Sequence, residues 1–157
     1  MLVLRVFQDE DPYFPREVLH TMKGGGKILN LSSFRDNSYS SPLDFAMYVR
    51  LFAVYLDDRL DCFIKGKLQK RVAYHKREKE QAASTITRDM KLSMLLDWIT
   101  YWQRLLGRAM VTRPTGAAKD NGLVRLSLYS VVQESFDLYR DISDGLALLL
   151  DSFFNLQ

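Results

Sequence analysis

The sequence predicts an all-α domain, and three observations lead to this prediction. Apolar residues recur at helical spacing through three long segments, and no segment shows the strict alternation of a strand. The eight Gly and four Pro cluster between these segments, whereas a sandwich or barrel needs turns throughout. The chain has 157 residues, 47% hydrophobic and 26% charged, which suits one domain with a sizeable core.

The first forty residues predict two short apolar segments separated by breaks. Residues 2–8 are predicted as the end of a helix, and residues 15–23 as a short helix because Pro suits the first helical position. Gly24–Gly26 ends that helix, since each Gly costs about 1 kcal/mol relative to Ala. A glycine-rich phosphate loop is the alternative, but the spacing matches neither nucleotide-binding pattern. Residues 30–41 are predicted as a polar loop.

A strong helix start follows at Ser41, which can cap the helix, with Pro42 at its first position. Asp44 occupies the position of a capping-box carboxylate. One helical face carries an apolar stripe formed by Phe45, Val49, Phe52, Leu56, Leu60 and Phe63. The solvated side near the C-terminus is assigned to Asp57, Asp58, Arg59 and Asp61.

Residues 65–87 form the most basic stretch of the chain, with few apolar residues and only Glu78 and Glu80 opposing the positive charge. A solvated loop between helices, partly helical from 73 to 83, is the simplest interpretation. Contact with an anionic lipid surface is the functional alternative, since each Lys or Arg there contributes about 1 kcal/mol. Nucleic acid is not expected, because Tyr74 is the one aromatic residue available for stacking. The candidate lipid-contact residues are Lys65, Lys67, Lys70, Arg71, Lys76, Arg77 and Lys79.

Two further helices are predicted, over residues 90–112 and 123–154. The first carries a stripe that Arg113–Gly116 then terminates through a proline and a turn. The second is about 48 Å long at ~1.5 Å per residue, a length typical of bundles and helical superhelices. Gly145 is its one weak point. The two stripes consist of Leu95, Ile99, Trp102, Leu106 and Ala109, and of Val124, Leu128, Val131, Leu138, Ile142, Leu146, Leu149 and Phe153.

No constellation of catalytic or metal-ligating residues is evident, so neither an enzyme nor a cofactor is expected. His20 and His75 lack the spacing that zinc sites require. The single cysteine, Cys62, lies among apolar residues and is predicted to be a buried thiol, which fits a reducing compartment. The apolar residues 1–7 are too few for a membrane span and lack the basic start of a signal peptide.

Several motifs together resemble one family. They are the run from Ile28 to Asp36, then Asp44–Phe45, Val49–Arg50, Tyr55–Asp57, Arg59–Leu60, Asp89–Lys91, Ile99–Gln103, Arg113–Gly116, Val131–Tyr139 and Asp141–Gly145. This set resembles the ANTH domain of clathrin assembly proteins, above all those of plants. The resemblance covers nearly the whole chain and is most specific between Ser127 and Phe154.

The resemblance implies a non-catalytic adaptor in clathrin-dependent endocytosis and vesicle budding. It implies binding to phosphatidylinositol 4,5-bisphosphate membranes, recruitment of clathrin through a tail outside this chain, and binding of SNAREs by some members. The implied location is the cytoplasmic membrane face, at coated pits, coated vesicles and the Golgi. A helical protein-interaction scaffold that does not bind lipid is the alternative.

The resemblance also implies how the chain is organised. The fold is expected to be a helical superhelix leading into a long-helix bundle, truncated at both ends. Residues 1–157 are expected to form a partial ANTH domain, with the end of the superhelix in 1–64, the basic linker in 65–87 and the start of the bundle in 88–157. The family's main lipid motif is expected to precede this chain, so the resemblance assigns that role to no residue here.

Overall fold

The structure is a computed structural model that describes Tyr13, Glu17, Val18 and His20, and residues 30–35, 42–65 and 92–154. The described residues contain three long α-helices, one 3-10 helix and no strand, which confirms the all-α prediction. The predictions for residues 2–8, for Gly24–Gly26 and for most of the short helix at 15–23 lie outside these ranges. The division of the chain at residues 64 and 87 stays a prediction.

The helix bounds follow the local sequence signals closely. Helix α1 spans Pro42–Lys65, helix α2 spans Leu92–Val111 and helix α3 spans Gly122–Phe154, with a 3-10 helix at Gly116–Asp120. Each bound lies within two residues of the prediction, because caps, breakers and apolar periodicity all act within a few residues. The 3-10 helix was not predicted.

The three helices run in alternating directions. On the α1–α2 face, Asp58 pairs with Arg108 and Asp61 with Arg104, so rising numbers in α1 meet falling numbers in α2. Helix α1 is parallel to α3, since the Tyr48–Ser127 and Tyr55–Glu134 contacts both join residues 79 apart. Helix α2 is therefore antiparallel to both.

One hydrophobic core joins the three helices, and the predicted stripe of α2 lies in it apart from the half-buried Leu106. Cys62 is completely buried there, which confirms the buried-thiol prediction. Val18 packs against this core from outside the three helices. Its buried members are Tyr55, Leu56, Leu60, Cys62, Leu95, Trp98, Ile99, Trp102, Leu105, Ala109, Val131, Leu138 and Ile142.

Two parts of the predicted burial pattern are wrong. Arg59 was assigned to the solvated side of α1 but is 4% exposed, because it has a buried carboxylate partner on α3. Leu146 and Phe153 were assigned to the core face of α3 but are exposed. Helical spacing predicted that these two residues share a face with Leu138. The helices that pack on α3 cover a different set of its residues, so Leu146 and Phe153 stay exposed.

Gly145 is a close-packing position and does not interrupt α3. It is buried, and a Cβ added there would lie 3.0 Å from Ile99 Cδ1 and 3.6 Å from Leu95 Cδ1. The missing side chain therefore lets α2 approach α3 at this level.

Candidate functional site: the polar face that leads into the basic segment

A buried polar bridge fixes α1 against α3. The Nε atom of Arg59 donates to both carboxylate oxygens of Glu134, at 2.8 and 3.0 Å, and the Tyr55 hydroxyl donates to Oε2 of the same carboxylate. Arg59 and Glu134 are both buried, so each charge is neutralised by a partner inside the fold. The bridge sets the register of the two helices and holds the carboxylate in a fixed ion pair.

A second polar contact lies two turns earlier along both helices. The Tyr48 hydroxyl and Ser127 Oγ are 2.7 Å apart, and Ser127 also donates to the Val124 carbonyl. Burial raises the pKa of the Tyr48 hydroxyl, and the hydrogen bond to Ser127 offsets this only in part. Tyr48 therefore stays neutral through the physiological range and acts as a positioning contact between the helices.

The α1–α2 face carries a cluster of ion pairs near the end of α1. Asp58 Oδ2 accepts from Arg108 Nε at 2.7 Å, and Arg104 Nη2 lies 3.1 Å from Asp58 Oδ1 and 2.9 Å from Asp61 Oδ2. Partial burial lowers the pKa of Arg104, but the hydrogen bond to Asp61 and the charges of both aspartates outweigh it and leave the pKa raised. The guanidinium is therefore fixed in its charged form.

Lys65 stands where this cluster meets the basic segment. Its ammonium lies 3.4 Å from Asp61 and 5.9 Å from the centre of the Tyr101 ring, which Arg104 also approaches at 5.5 Å. A cation in the last turn of a helix is favourably placed against the helix dipole. Lys65 therefore anchors the start of the basic segment to the helical body.

Of the seven candidate lipid-contact residues, the structure describes Lys65 alone. Lys65 is exposed, but its pairing with Asp61 reduces the charge that it can offer to an anionic surface. The other six, which are Lys67, Lys70, Arg71, Lys76, Arg77 and Lys79, lie outside the described residues. Their assignment stays a prediction.

Several of the motifs that carry the family resemblance contact one another. Arg50 Nε donates to the Phe34 carbonyl at 2.9 Å, which ties residues 30–35 to α1. Asp44 Oδ2 accepts from the Ala117 backbone N–H at 2.9 Å, although its spacing had indicated a capping-box role. That contact secures the turn of Arg113–Gly116 against the start of α1.

Sequence reasoning missed the buried polar residues Glu134 and Ser127. A signal was present, because Glu134 lies between Val131 and Leu138 on the same helical face. A carboxylate on an apolar face indicates a buried partner, since an unpaired buried charge is strongly unfavourable. The sequence did not identify Arg59 as that partner.

The described ranges offer little for other kinds of site. They hold no group of three or more His, Cys, Asp or Glu that could bind a metal ion. Within the same ranges no helix has the length and apolar content needed to cross a membrane.

Comparisons with known proteins agree with the motifs. The ANTH domain family model matches residues 1–157. The clathrin coat assembly protein AP180 of Arabidopsis thaliana is 64% identical over all of this chain and 27% of its own length. A probable clathrin assembly protein of the same plant is 31% identical over all of this chain and 33% of its own length. No solved structure matches the chain.

The chain thus spans about a quarter to a third of the relatives that it matches. The family match covers every residue, and the motifs that carried the resemblance form the contacts between Phe34 and Arg50 and between Arg59 and Glu134. The chain belongs to the ANTH domain family.

Proposed function

We propose that this chain is the helical part of a clathrin-coat adaptor that binds phosphoinositide membranes in endocytosis and vesicle budding. The observation that carries the proposal is the match of the whole chain to the ANTH domain, together with 64% identity to a clathrin coat assembly protein. The paired, buried polar groups of α1 and α3 support a positioning role and not a catalytic one.

The proposed location is the cytoplasmic face of clathrin-coated pits and vesicles and of the Golgi. Clathrin is a proposed partner through other parts of a longer polypeptide, since the matched relatives are about four times the length of this chain. SNAREs are a further proposed class of partner.

Within this chain, the proposed membrane contact is the basic segment that begins at Lys65. Lys65 lies in the exposed last turn of α1, where the ion pairs of Asp58 and Asp61 hold α1 against α2. Positive charge next to a fixed helix end can meet an anionic surface without rearrangement of the core.

Vesicle sedimentation tests this proposal. Vesicles of phosphatidylcholine with phosphatidylinositol 4,5-bisphosphate are compared with vesicles of equal charge that contain phosphatidylserine. The triple variant Lys67→Ala, Lys70→Ala, Arg71→Ala removes three cations, so binding to the phosphoinositide vesicles should weaken by roughly 100-fold at about 1 kcal/mol per residue.

A matched triple variant serves as the control. Arg113→Ala, Lys119→Ala, Arg125→Ala removes three exposed cations near the 3-10 helix and leaves the net charge equal to that of the first variant. The control should bind as the unaltered chain does. Equal losses in the two variants would show that net charge alone drives binding, and no binding by the unaltered chain would reject the lipid role.

A helical protein-interaction scaffold is the second candidate function. It is favoured by the exposed apolar residues of α3, among them Phe136 and Tyr139. The vesicle experiment separates this function from lipid binding, because a scaffold that does not bind lipid would sediment with neither kind of vesicle.

A further inference from the structure

Asn121 and Gly122 form an Asn–Gly dipeptide at the point where the 3-10 helix passes into α3. It is the one such dipeptide among the 157 residues. An asparagine loses its side-chain amide when the next backbone nitrogen attacks the side-chain carbonyl carbon. Glycine favours this attack most, because it has no Cβ to shield its nitrogen and its backbone is the least restricted. The junction therefore has the intrinsic reactivity for deamidation.

The reaction needs no reagent other than water. The Gly122 nitrogen loses its proton to solvent base and forms a bond to Cγ of Asn121. The bond from Cγ to the side-chain nitrogen then breaks, and this nitrogen takes a proton from water and leaves as ammonia. Water opens the resulting five-membered succinimide at either of its carbonyl groups. The product is aspartate, or isoaspartate in which the backbone runs through the former side chain, and nothing is oxidised or reduced.

The attacking nitrogen lies at the surface. Gly122 is exposed, and a Cβ built on it would meet open space. Gly122 is the first residue of α3, and the N–H groups of the first helical turn have no acceptor within the helix. Solvent base therefore reaches the Gly122 N–H without breaking a hydrogen bond of the helix.

The side chain of Asn121 is held as the cap of α3. Its Oδ1 atom accepts from the backbone N–H groups of Leu123 and Val124, at 2.9 and 3.2 Å. Ring closure needs the Cβ atom of Asn121 and the Gly122 nitrogen to be nearly eclipsed about the Cα–C bond. The ψ of Asn121 is 127°, which keeps these two atoms well apart. The succinimide therefore forms only after a large rotation about that bond.

The backbone on either side of Asn121 opposes this rotation. The Asn121 N–H donates to the Ala118 carbonyl at 3.3 Å, and the Asn121 carbonyl accepts from the Arg125 N–H at 3.0 Å. The Arg125 side chain clamps the same junction, since Nε donates to the Lys119 carbonyl at 2.8 Å and Nη2 donates to Asp120 Oδ1 at 2.9 Å. Rotation at Asn121 would break the cap, so it requires local opening of the first turn of α3.

We propose that Asn121 is a site of spontaneous deamidation and that opening of the first turn of α3 sets the rate. The modification changes the helix cap itself. Aspartate keeps an oxygen at the capping position and adds a negative charge at the helix N-terminus, which is favourable. Isoaspartate adds one atom to the backbone before Gly122 and displaces the capping oxygen, so this product loses the cap. The two products therefore have opposite effects on the start of α3, and neither depends on membrane binding.

Incubation of the full chain at mildly alkaline pH tests the site. Peptide mapping by mass spectrometry follows the conversion of amide to acid at each asparagine, and enzymatic methylation detects isoaspartate. In guanidinium chloride, Asn121 should convert faster than Asn30, Asn37 and Asn155, none of which precedes a glycine. In buffer, Asn121 should convert at least about tenfold more slowly than in guanidinium chloride, because the cap must open first.

Three variants separate the opening step from the chemistry. Arg125→Ala removes the clamp and should raise the rate in buffer about two- to fivefold, as expected for an exposed ion pair, without changing the rate in guanidinium chloride. Arg113→Ala, at an exposed arginine before the 3-10 helix, is the matched control and should change neither rate. Gly122→Ala should slow conversion under both conditions, and its Cβ meets open space, so the fold should survive.

Several outcomes would overturn the proposal. An Asn121 that stays fully intact over weeks in buffer would reject the site, as would faster conversion of another asparagine in guanidinium chloride. Similar rates at Asn121 in buffer and in guanidinium chloride would reject control by the first turn of α3, and so would an Arg125→Ala variant that converts in buffer as slowly as Arg113→Ala. Conversion to aspartate without isoaspartate would reject attack by the Gly122 nitrogen.

Discussion

Arg59 of α1 and Glu134 of α3 form an ion pair inside the fold, with 2.8 Å between Nε and Oε1 and side chains that are 4% and 7% exposed. The two residues are 75 positions apart in the chain. The attraction between buried charges offsets their desolvation, whereas loss of one partner leaves the other charge in an apolar environment. The pair therefore acts mainly on specificity, because it penalises any other register of α1 against α3.

Glu134→Gln should destabilise the protein by about 3–5 kcal/mol, because the buried Arg59 guanidinium loses its counter-charge. The double variant Arg59→Met, Glu134→Leu should recover most of that loss, since no buried charge then remains. Urea unfolding measures both free energies. Asp120→Asn is the control at the exposed Arg125–Asp120 pair and should change stability by less than about 0.5 kcal/mol. A Glu134→Gln variant with an unchanged free energy of unfolding would contradict the predicted role of the pair.

Gly116→Ala should cost about 2–3 kcal/mol of stability. Gly116 has a φ of +48°, and an added Cβ would lie 2.0 Å from Asp44 Oδ2, so the carboxylate would have to leave the Ala117 N–H. In an Asp44→Ala background the same change should cost less, because the clash is gone. A double-mutant cycle by urea unfolding gives this coupling. Gly122→Ala is the control, because its Cβ would meet open space. If the effects of Gly116→Ala and Asp44→Ala on stability were strictly additive, the predicted contact between the new Cβ and Asp44 would be rejected.

Gly107→Ala and Gly145→Ala should have different effects although both replace a helical glycine. Gly107 is exposed with open space around its Cβ position, so Ala should stabilise α2 by about 0.5–1 kcal/mol. At Gly145 the new Cβ would lie 3.0 Å from Ile99 Cδ1. The strain of this contact should cancel or exceed the stabilisation that Ala gives over Gly in a helix. Thermal and urea unfolding of the two variants give the comparison. An equal gain at Gly145 would show that α2 and α3 are not closely packed there.

The Tyr48 hydroxyl should make stability fall at alkaline pH. Burial raises its pKa in the folded protein, so the unfolded chain loses this proton at lower pH, near its usual pKa of about 10. The stabilisation that the protonated Tyr48 hydroxyl gives to the folded protein is complete below that pH, and it is lost as pH rises through the folded-state pKa. Tyr48→Phe should remove this part of the slope and cost about 1 kcal/mol at neutral pH through the lost Ser127 hydrogen bond.

The measurement for Tyr48 is urea unfolding at constant ionic strength from neutral to alkaline pH. Tyr129→Phe, at an exposed tyrosine, is the control and should keep the slope of the unaltered chain. A Tyr48→Phe variant with an unchanged slope would show that another group dominates the alkaline response.

The helices and much of the core could be predicted because their signals are local. The start of α1 depends on Pro42, the end of α2 on Pro114 and the length of α3 on its apolar periodicity, and all three signals act within a few residues. The buried thiol of Cys62 followed from its apolar neighbours in the same way. The family could be identified from motifs that are themselves short runs of sequence.

The polar contacts could not be predicted, because their partners are far apart in the chain. Arg59 was assigned to the solvated side since nothing near it in sequence indicates Glu134. Asp44 has the spacing of a capping residue, yet it accepts from a backbone 73 residues away. A buried charge is stable only when tertiary packing supplies a partner of opposite charge. The local sequence therefore indicates that burial of the charge would be unfavourable, but it does not indicate which residue neutralises it.

By itself, the sequence determined the helical class, the bounds of three helices and the family of this chain. The tertiary structure decided which apolar residues of α3 face the core, and so left Phe136, Tyr139 and Phe153 exposed. Apolar residues lie on more than one side of α3, and periodicity reports only that a face is apolar. Which face is buried depends on where α1 and α2 pack, and that depends on the Arg59–Glu134 pair and the close approach at Gly145.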